Sequence, residues 1–304
     1  MAIANPDKGK IIKAANIFGQ PLSIFGVPVD REAIFSNHKG VYNKRVEKRQ
    51  RGLIVKSTFI KVFLKHDEKI RCLTTGYSPV SLMEQVVTGP FFLCFKRALL
   101  IFTDRRILHV PTRFSRQPRA AVSQIAYDDC ARLSIKGNAL LVQYKNGRQE
   151  IFPYLGRKER KKIRTLISAI ALSPKDAGQL QGRVHLCPSC THVLPARTGI
   201  CPTCKLPFKT AFKTKLRAFL LPGGGYFYAH YPAVGSIIAI AELMLISVFT
   251  YKMLGWHHGA GVTISSLAAM AVGFILVKLI SAFHSAMMVD ECVPEEKDYA
   301  VRKI

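Results

Sequence analysis

Acidic side chains are scarce in this sequence. Asp and Glu number 19 against 45 Lys and Arg, which leaves a formal charge of +26. A field of that size points to anionic partners, either nucleic acid or the anionic face of a membrane. Paired cysteines are scarce too. Of eight cysteines, Cys72, Cys94, Cys130 and Cys292 stand apart with no short-range pairing. That speaks against the stapled framework of a secreted protein and suits a reducing compartment. No apolar core follows the first basic residues of "MAIANPDKGK", so no cleavable signal peptide is expected. The patterns G-x-S-x-G, G-x-x-x-x-G-K-S/T and H-E-x-x-H are all absent. Gly223 to Gly225 have neither a preceding strand nor a following phosphate-binding Lys, so they read as a bend or a helix contact. Asp128-Asp129 reads as a strand end, not a metal pair. The expectation is a protein that is not an enzyme, with no catalytic residue to assign.

Two long apolar runs lie near the end of the chain: Ala233 to Tyr251 and Val262 to Val289. Each is long enough to cross a hydrocarbon core, which needs about 20 helical residues. The alternative is a pair of helices in a large soluble core, but the rest of the chain is too polar to wrap them. A shorter piece, "FLLPGGGYFYAHYP", precedes them and is broken by Pro222 and three glycines. It reads as a kinked, re-entrant or interfacial segment over residues 211–232, with Tyr226, Phe227, Tyr228 and Tyr231 suited to a membrane–water boundary. Lys205, Lys209, Lys213, Lys215 and Arg217 precede the tail, whereas the link between the runs has only Lys252. The positive-inside rule therefore places the preceding modules in the cytoplasm, on an inner (cytoplasmic) membrane. Two crossings plus a partial one is the reading preferred over three, and residues 290–304 form a polar tail.

The middle of the chain reads as a β module. "CFKRALLIFTDRRILHVPT" holds two strands around Asp104-Arg105, and "ALLVQYKNGRQEIFPYL" holds two more joined by Asn146-Gly147, a strong hairpin signal. Ile163, Leu166, Ile167 and Ile170 then fall on one helical face. About seven strands followed by one helix, with "LLIFTDRRIL" and the "FPYL"-to-helix ending, resemble the bacterial pleckstrin-homology-like domains over about residues 68–172. The resemblance implies a small half-open β-barrel, residues 61–175, plugged at one end by its helix. It also implies binding of lipid or protein without chemistry. Residues 1–60 show no clear period. They read either as a basic docking segment or as a flexible polar arm.

The strongest site signal is "CPSCTHVLPARTGICPTC". Cys187, Cys190, Cys201 and Cys204 form two C-x-x-C knuckles, each with Pro in the same slot, and four thiolates suit tetrahedral Zn2+. The pattern resembles the short zinc ribbons found beside membrane segments, here over residues 180–210. Such knuckles often have Gly after the second Cys, where this chain has Thr191 and Lys205. A structural zinc is expected, with an iron–sulfur cluster or two redox pairs as alternatives. Four Cys leave no open position for catalysis. Two basic groups are candidates for anionic lipid headgroups or a partner: Arg105, Arg106, Arg113, Arg116 and Arg119 near one turn, and Arg157, Lys158, Arg160, Lys161, Lys162 and Arg164 along the helix. The bland reading is a solvated face. Nucleic acid competes less well, because little aromatic interleaving accompanies these cations. Glu242 and Lys278 lie inside the apolar runs and each needs a partner: each other, another protein, or a transport path.

The sequence thus predicts a multidomain α+β membrane protein with a pleckstrin-homology-like barrel, a zinc ribbon and C-terminal transmembrane helices. The expected role is a non-enzymatic adaptor or membrane-complex subunit, acting with a protein partner or as a homo-oligomer. A membrane-tethered nucleic-acid-binding protein and a transporter or channel component are the alternatives.

Overall fold

The structure is a computed structural model that describes residues 23–80, 95–113, 115, 117–170, 172, 182–195, 198–258 and 263–295. The start of the expected docking segment, Arg116 and most of the polar tail lie outside the described residues. The fold is mixed α+β, and the chain divides into two compact units, residues 23–80 with 95–195, and residues 198–295.

The first unit is built on an antiparallel six-stranded sheet. Its members are β3 (Ile70–Tyr77), β4 (Arg97–Thr103), β5 (Arg106–Pro111), β6 (Val122–Ala126), β10 (Val184–Leu186) and β11 (Val193–Leu194), in the order β11-β10-β6-β5-β4-β3. "RALLIFT" and "RILHVP" make good central strands because both faces of the sheet are covered, so a run of apolar and β-branched residues costs nothing in exposure. The turn between them is held by Thr103. Its Oγ1 accepts from the backbone N–H groups of Arg105 and Arg106 at 3.1 and 3.0 Å. A second sheet joins β7 (Cys130–Lys136), β8 (Ala139–Tyr144) and β9 (Gln149–Phe152). Its β8–β9 hairpin turns at Asn146-Gly147, where Gly147 takes φ +82.

One face of the large sheet meets this second sheet and helix α3 (Arg160–Ser168, here numbered in chain order). Phe102, Ile107, Leu140, Phe152, Ile163 and Ile167 share a single apolar cluster there. The helix is therefore placed as its apolar stripe requires. Among the described residues no closed barrel forms. The edge of β6 that a ring would offer to β7 is instead paired with β10, and a 3-10 turn, Tyr127–Asp129, separates β6 from β7. Among the described residues two backbone bonds near the β9 end tie the sheets: Tyr77 N–H to Pro153 O and Gly156 N–H to Thr75 O, both 3.0 Å.

The other face of the large sheet is covered by the N-terminal segment. From residue 23 this is not a flexible arm: it is folded and packed against the sheet. It forms β1 (Ser23–Ile24), β2 (Val27–Pro28), α1 (Arg31–Phe35), α2 (Lys44–Lys56) and a 3-10 turn (Thr58–Phe63). Ile34, Phe35, Ile54, Ile60 and Phe63 pack with Leu73, Leu99, Ile101 and Leu108 of the sheet. Helix α2 starts at Asn43, whose side chain accepts from the N–H groups of Arg45 and Val46. The same segment caps edge strand β3. Gln50 gives its amide N–H to Leu73 O at 2.8 Å and takes Leu73 N–H at 2.9 Å, and Asp30 N–H donates to Ile70 O at 2.9 Å.

The second unit contains α4 (Ala211–Leu220), α5 (Gly224–Tyr228), α6 (Pro232–His257) and α7 (Ile264–Met287). The expected kink is a sharp turn at Leu221–Gly223 between two short helices. Gly223 has φ +64, and a Cβ there would lie 2.2 Å from Gly235 O of α6. A Cβ on Gly224 or Gly225 would strike Arg217 O of α4 or Ser285 Oγ of α7, each at 2.3 Å. The three glycines are a contact point for three helices, not a phosphate cradle.

Candidate metal centre and buried ion pair

The two knuckles repeat one local geometry. In the first, Cys187 N–H donates to His192 O and Thr191 N–H to Cys187 O. In the second, Cys201 N–H donates to Leu206 O and Lys205 N–H to Cys201 O. Thr191 and Lys205 take φ +58 and +61, the left-handed conformation that glycine commonly supplies after a second Cys. The departure from Gly therefore changes the energy of the turn and not its path. The four Sγ atoms lie within 4.8 Å of one another. A tetrahedron with bonds of about 2.3 Å has edges of about 3.8 Å, so the set fits one metal ion. Cys187 and Cys201 are fully buried. No disulfide joins the described cysteines.

The other thiols behave differently. Burial pushes Cys72 up to about 11 and Cys130 to about 12, so both stay protonated at neutral pH. They pack in the apolar cluster between the sheets.

Helices α6 and α7 are long and apolar enough to cross a membrane, and only 17% of the most apolar stretch of each is buried. Ile237, Ile240, Leu243 and Met244 of α6, and Val272, Ile275 and Leu279 of α7, are exposed. What these helices bury is small or polar: Gly235 and Glu242 of α6, and Lys278, Ser281, Ala282, His284, Ser285 and Ala286 of α7. Glu242 is 0% exposed, and its Oε2 takes Lys278 Nζ at 2.8 Å and Gly223 N–H at 3.1 Å. Lys278 Nζ also reaches Ala218 O at 3.0 Å and Leu221 O at 3.4 Å, carbonyls at the end of α4, where Leu221 O also accepts from Gly224 N–H. The structure brings Glu242 and Lys278 together and adds the Gly turn as a third member. Further along α7, Ser281, His284 and Ser285 are buried, and His284 Nδ1 lies 2.7 Å from the Tyr226 hydroxyl. The spacing 278, 281, 285 was the available sign of a polar stripe on one helix face.

The proposed cationic surface divides. Arg106 is buried and structural: it donates to Glu68 Oε1 at 2.9 Å, to Glu68 Oε2 at 2.7 Å and to Phe63 O at 2.6 Å, and it also pairs with Gln124. Lys162 is buried with its amine on Ile34 O and Ser36 O, at 2.8 and 2.9 Å, fixing α3 to the end of α1. Burial depresses its pKa. Arg119 is also buried. Arg105, Arg157, Lys158, Lys161 and Arg164 are exposed, and Arg113 and Arg160 are half-buried.

Comparison of the chain with known protein families, curated proteins and solved structures finds no match to any of the three.

Proposed function

We propose that this protein is a membrane-anchored, non-enzymatic binding protein of the inner (cytoplasmic) membrane, with its soluble modules in the cytoplasm. The observation that carries the reading is the inverted character of α6 and α7. They present Ile, Leu, Met and Val outward and enclose a charged pair. In water that surface is unfavourable at roughly 25 cal/mol per Å², whereas in a bilayer it is the solvent-matched face. Charge at mid-membrane costs on the order of 3 kcal/mol, which the Glu242–Lys278 contact offsets. Helix α4, with Phe212, Leu216, Phe219 and Leu220 exposed beside Lys213, Lys215 and Arg217, suits the interface. The exposed Arg105, Arg157, Lys158, Lys161 and Arg164 supply attraction to anionic headgroups, each contributing about 1 kcal/mol near the surface.

The metal in this reading is zinc. Four thiolates complete a tetrahedral shell, so the ion has a structural task, to stabilise a knot with too little apolar surface to fold unaided.

Cell fractionation tests the anchor. Full-length protein should remain with membranes through alkaline carbonate washing and need detergent for release. Recovery in the soluble fraction overturns it. Purified protein should co-sediment with anionic vesicles more than with neutral ones. Salt-sensitive retention of DNA or RNA, with no preference for anionic vesicles, overturns the lipid assignment in favour of nucleic acid.

A further inference from the structure

We infer that the first unit carries a built site for an organic phosphate ester, in a cavity of about 490 Å³ between α2 and strands β3 and β4. It does not depend on the membrane reading, which rests on other residues. The volume lies in the range of small-molecule sites. Lys48, Arg49, Gly52 and Lys56 stand on its helix side, spaced so that one face of α2 is presented. Arg97 and Tyr77 stand on the sheet side, Leu53 and Leu99 add apolar lining, and Tyr154 completes the rim.

No carboxylate lines this cavity among the described residues. Arg49 is paired with Glu159. Lys48 and Lys56 are exposed and make no ion pair with any described residue, so their charge is available. Arg97 adds a planar guanidinium of the kind that matches phosphate oxygens.

Two further features point to a ligand with an organic body. The rings of Tyr77 and Tyr154 meet edge-on, with centroids 5.3 Å apart and planes at 68°. Tyr154 is held there at φ +55 while 52% exposed, a left-handed backbone costing about 1–2 kcal/mol for a side chain that gains little from burial. On the helix side stands Gly52, an exposed position inside α2, where glycine is unfavourable by about 1 kcal/mol relative to Ala. A Cβ there would meet nothing within 4 Å, so its side-chain space is left open. Cations, an aromatic lip and an unfilled helix position suit a phosphate attached to an apolar or aromatic group, supplied as a lipid headgroup or as a soluble ester.

The test uses full-length protein in neutral detergent, titrated calorimetrically with dihexanoyl phosphatidic acid and, separately, with phenyl phosphate. Saturable binding of either probe is expected, weakened about tenfold or more in Gly52→Leu and in Lys48→Gln/Lys56→Gln. Binding of the phosphatidate alone assigns a lipid source, and equal binding of phenyl phosphate assigns a soluble one. Gly52→Ala, which adds one methyl at an exposed helical site, keeps the fold and should weaken binding less. Arg132→Gln/Lys136→Gln, exposed on β7 and outside the cavity lining, should leave it unchanged. No binding of either probe in the millimolar range, or equal affinity in all variants, overturns the proposal.

Discussion

Glu68 and Arg106 show how a charge excess conceals structural residues. The sequence reading grouped Arg106 with four other arginines as a surface for anions. The side chain is instead the buried partner of Glu68, which also accepts from Thr103 Oγ1 and Lys65 N–H at 2.8 Å each. Nothing in "FTDRRI" separates Arg105, which is exposed, from Arg106, which is not. The strand register does so, and the carboxylate it meets lies 38 positions away. Burial alone would raise the Glu68 pKa, but the hydrogen bonds from Arg106, Lys65 and Thr103 outweigh it and hold the carboxyl below its usual value. A depressed carboxylate contributes stability that is complete above the unfolded value of about 4.3 and is lost as pH falls through the folded one. Denaturant midpoints of the wild type should therefore drop between about pH 4.5 and pH 3. Glu68→Gln should be less stable at pH 7 and show a shallower drop. An equal slope in both proteins counts against this role. The knuckle residues were more legible. The four Cys and the two positions that replace Gly were apparent from spacing, and only the left-handed backbone needed coordinates.

At the scale of elements, the long helices and the strands around Asp104-Arg105 and Asn146-Gly147 were readable because turn chemistry and run length are local properties. The N-terminal helix was missed, although Asn43 as a cap and Val46, Gln50, Leu53 and Ile54 on one face were visible. Its inward position is filled by Gln50, a polar residue whose partner is the open edge of β3, and periodicity of apolar residues does not register that pairing. Strand β10 was missed because three residues carry no pattern, and its position on β6 is a long-range choice. The α6–α7 pair gives the sharpest prediction at this scale. Lys278→Leu leaves the Glu242 carboxylate buried beside Leu and should cost about 3–5 kcal/mol, read as a lowered unfolding temperature in detergent. Glu242→Leu/Lys278→Leu removes both charges and should recover most of that loss. If the double variant is as unstable as the single one, the two residues are not acting as a pair.

At the scale of the molecule, the two units bury opposite kinds of side chain. In residues 23–195 two apolar clusters are interior, and most cations are exposed or half-buried, with Arg106, Arg119 and Lys162 buried. In residues 232–287 the order is reversed, with the ion pair interior and the aliphatic surface exterior. The bulk composition averages the two and shows neither, whereas the run lengths separate them. Metal content belongs to this scale. Protein purified under reducing conditions should carry one zinc per chain and release it, with four newly reactive thiols, on mild denaturation with a chelator. Preparations without metal, or with iron and sulfide, overturn the zinc assignment.

The pairing of β10 with β6 gives the metal a route to an observable signal. Leu186 is bonded into the large sheet opposite Val122 and is followed at once by Cys187. The strand that ends at the first ligand is therefore held between β6 and the short edge strand β11. Chelation should leave the exchange of amide protons in β4 and β5 untouched while deuterium enters Val184–Leu186 and Val122–Gln124 early. The β10–β6 pair then serves as a built-in gauge of occupancy, legible by mass spectrometry without a label.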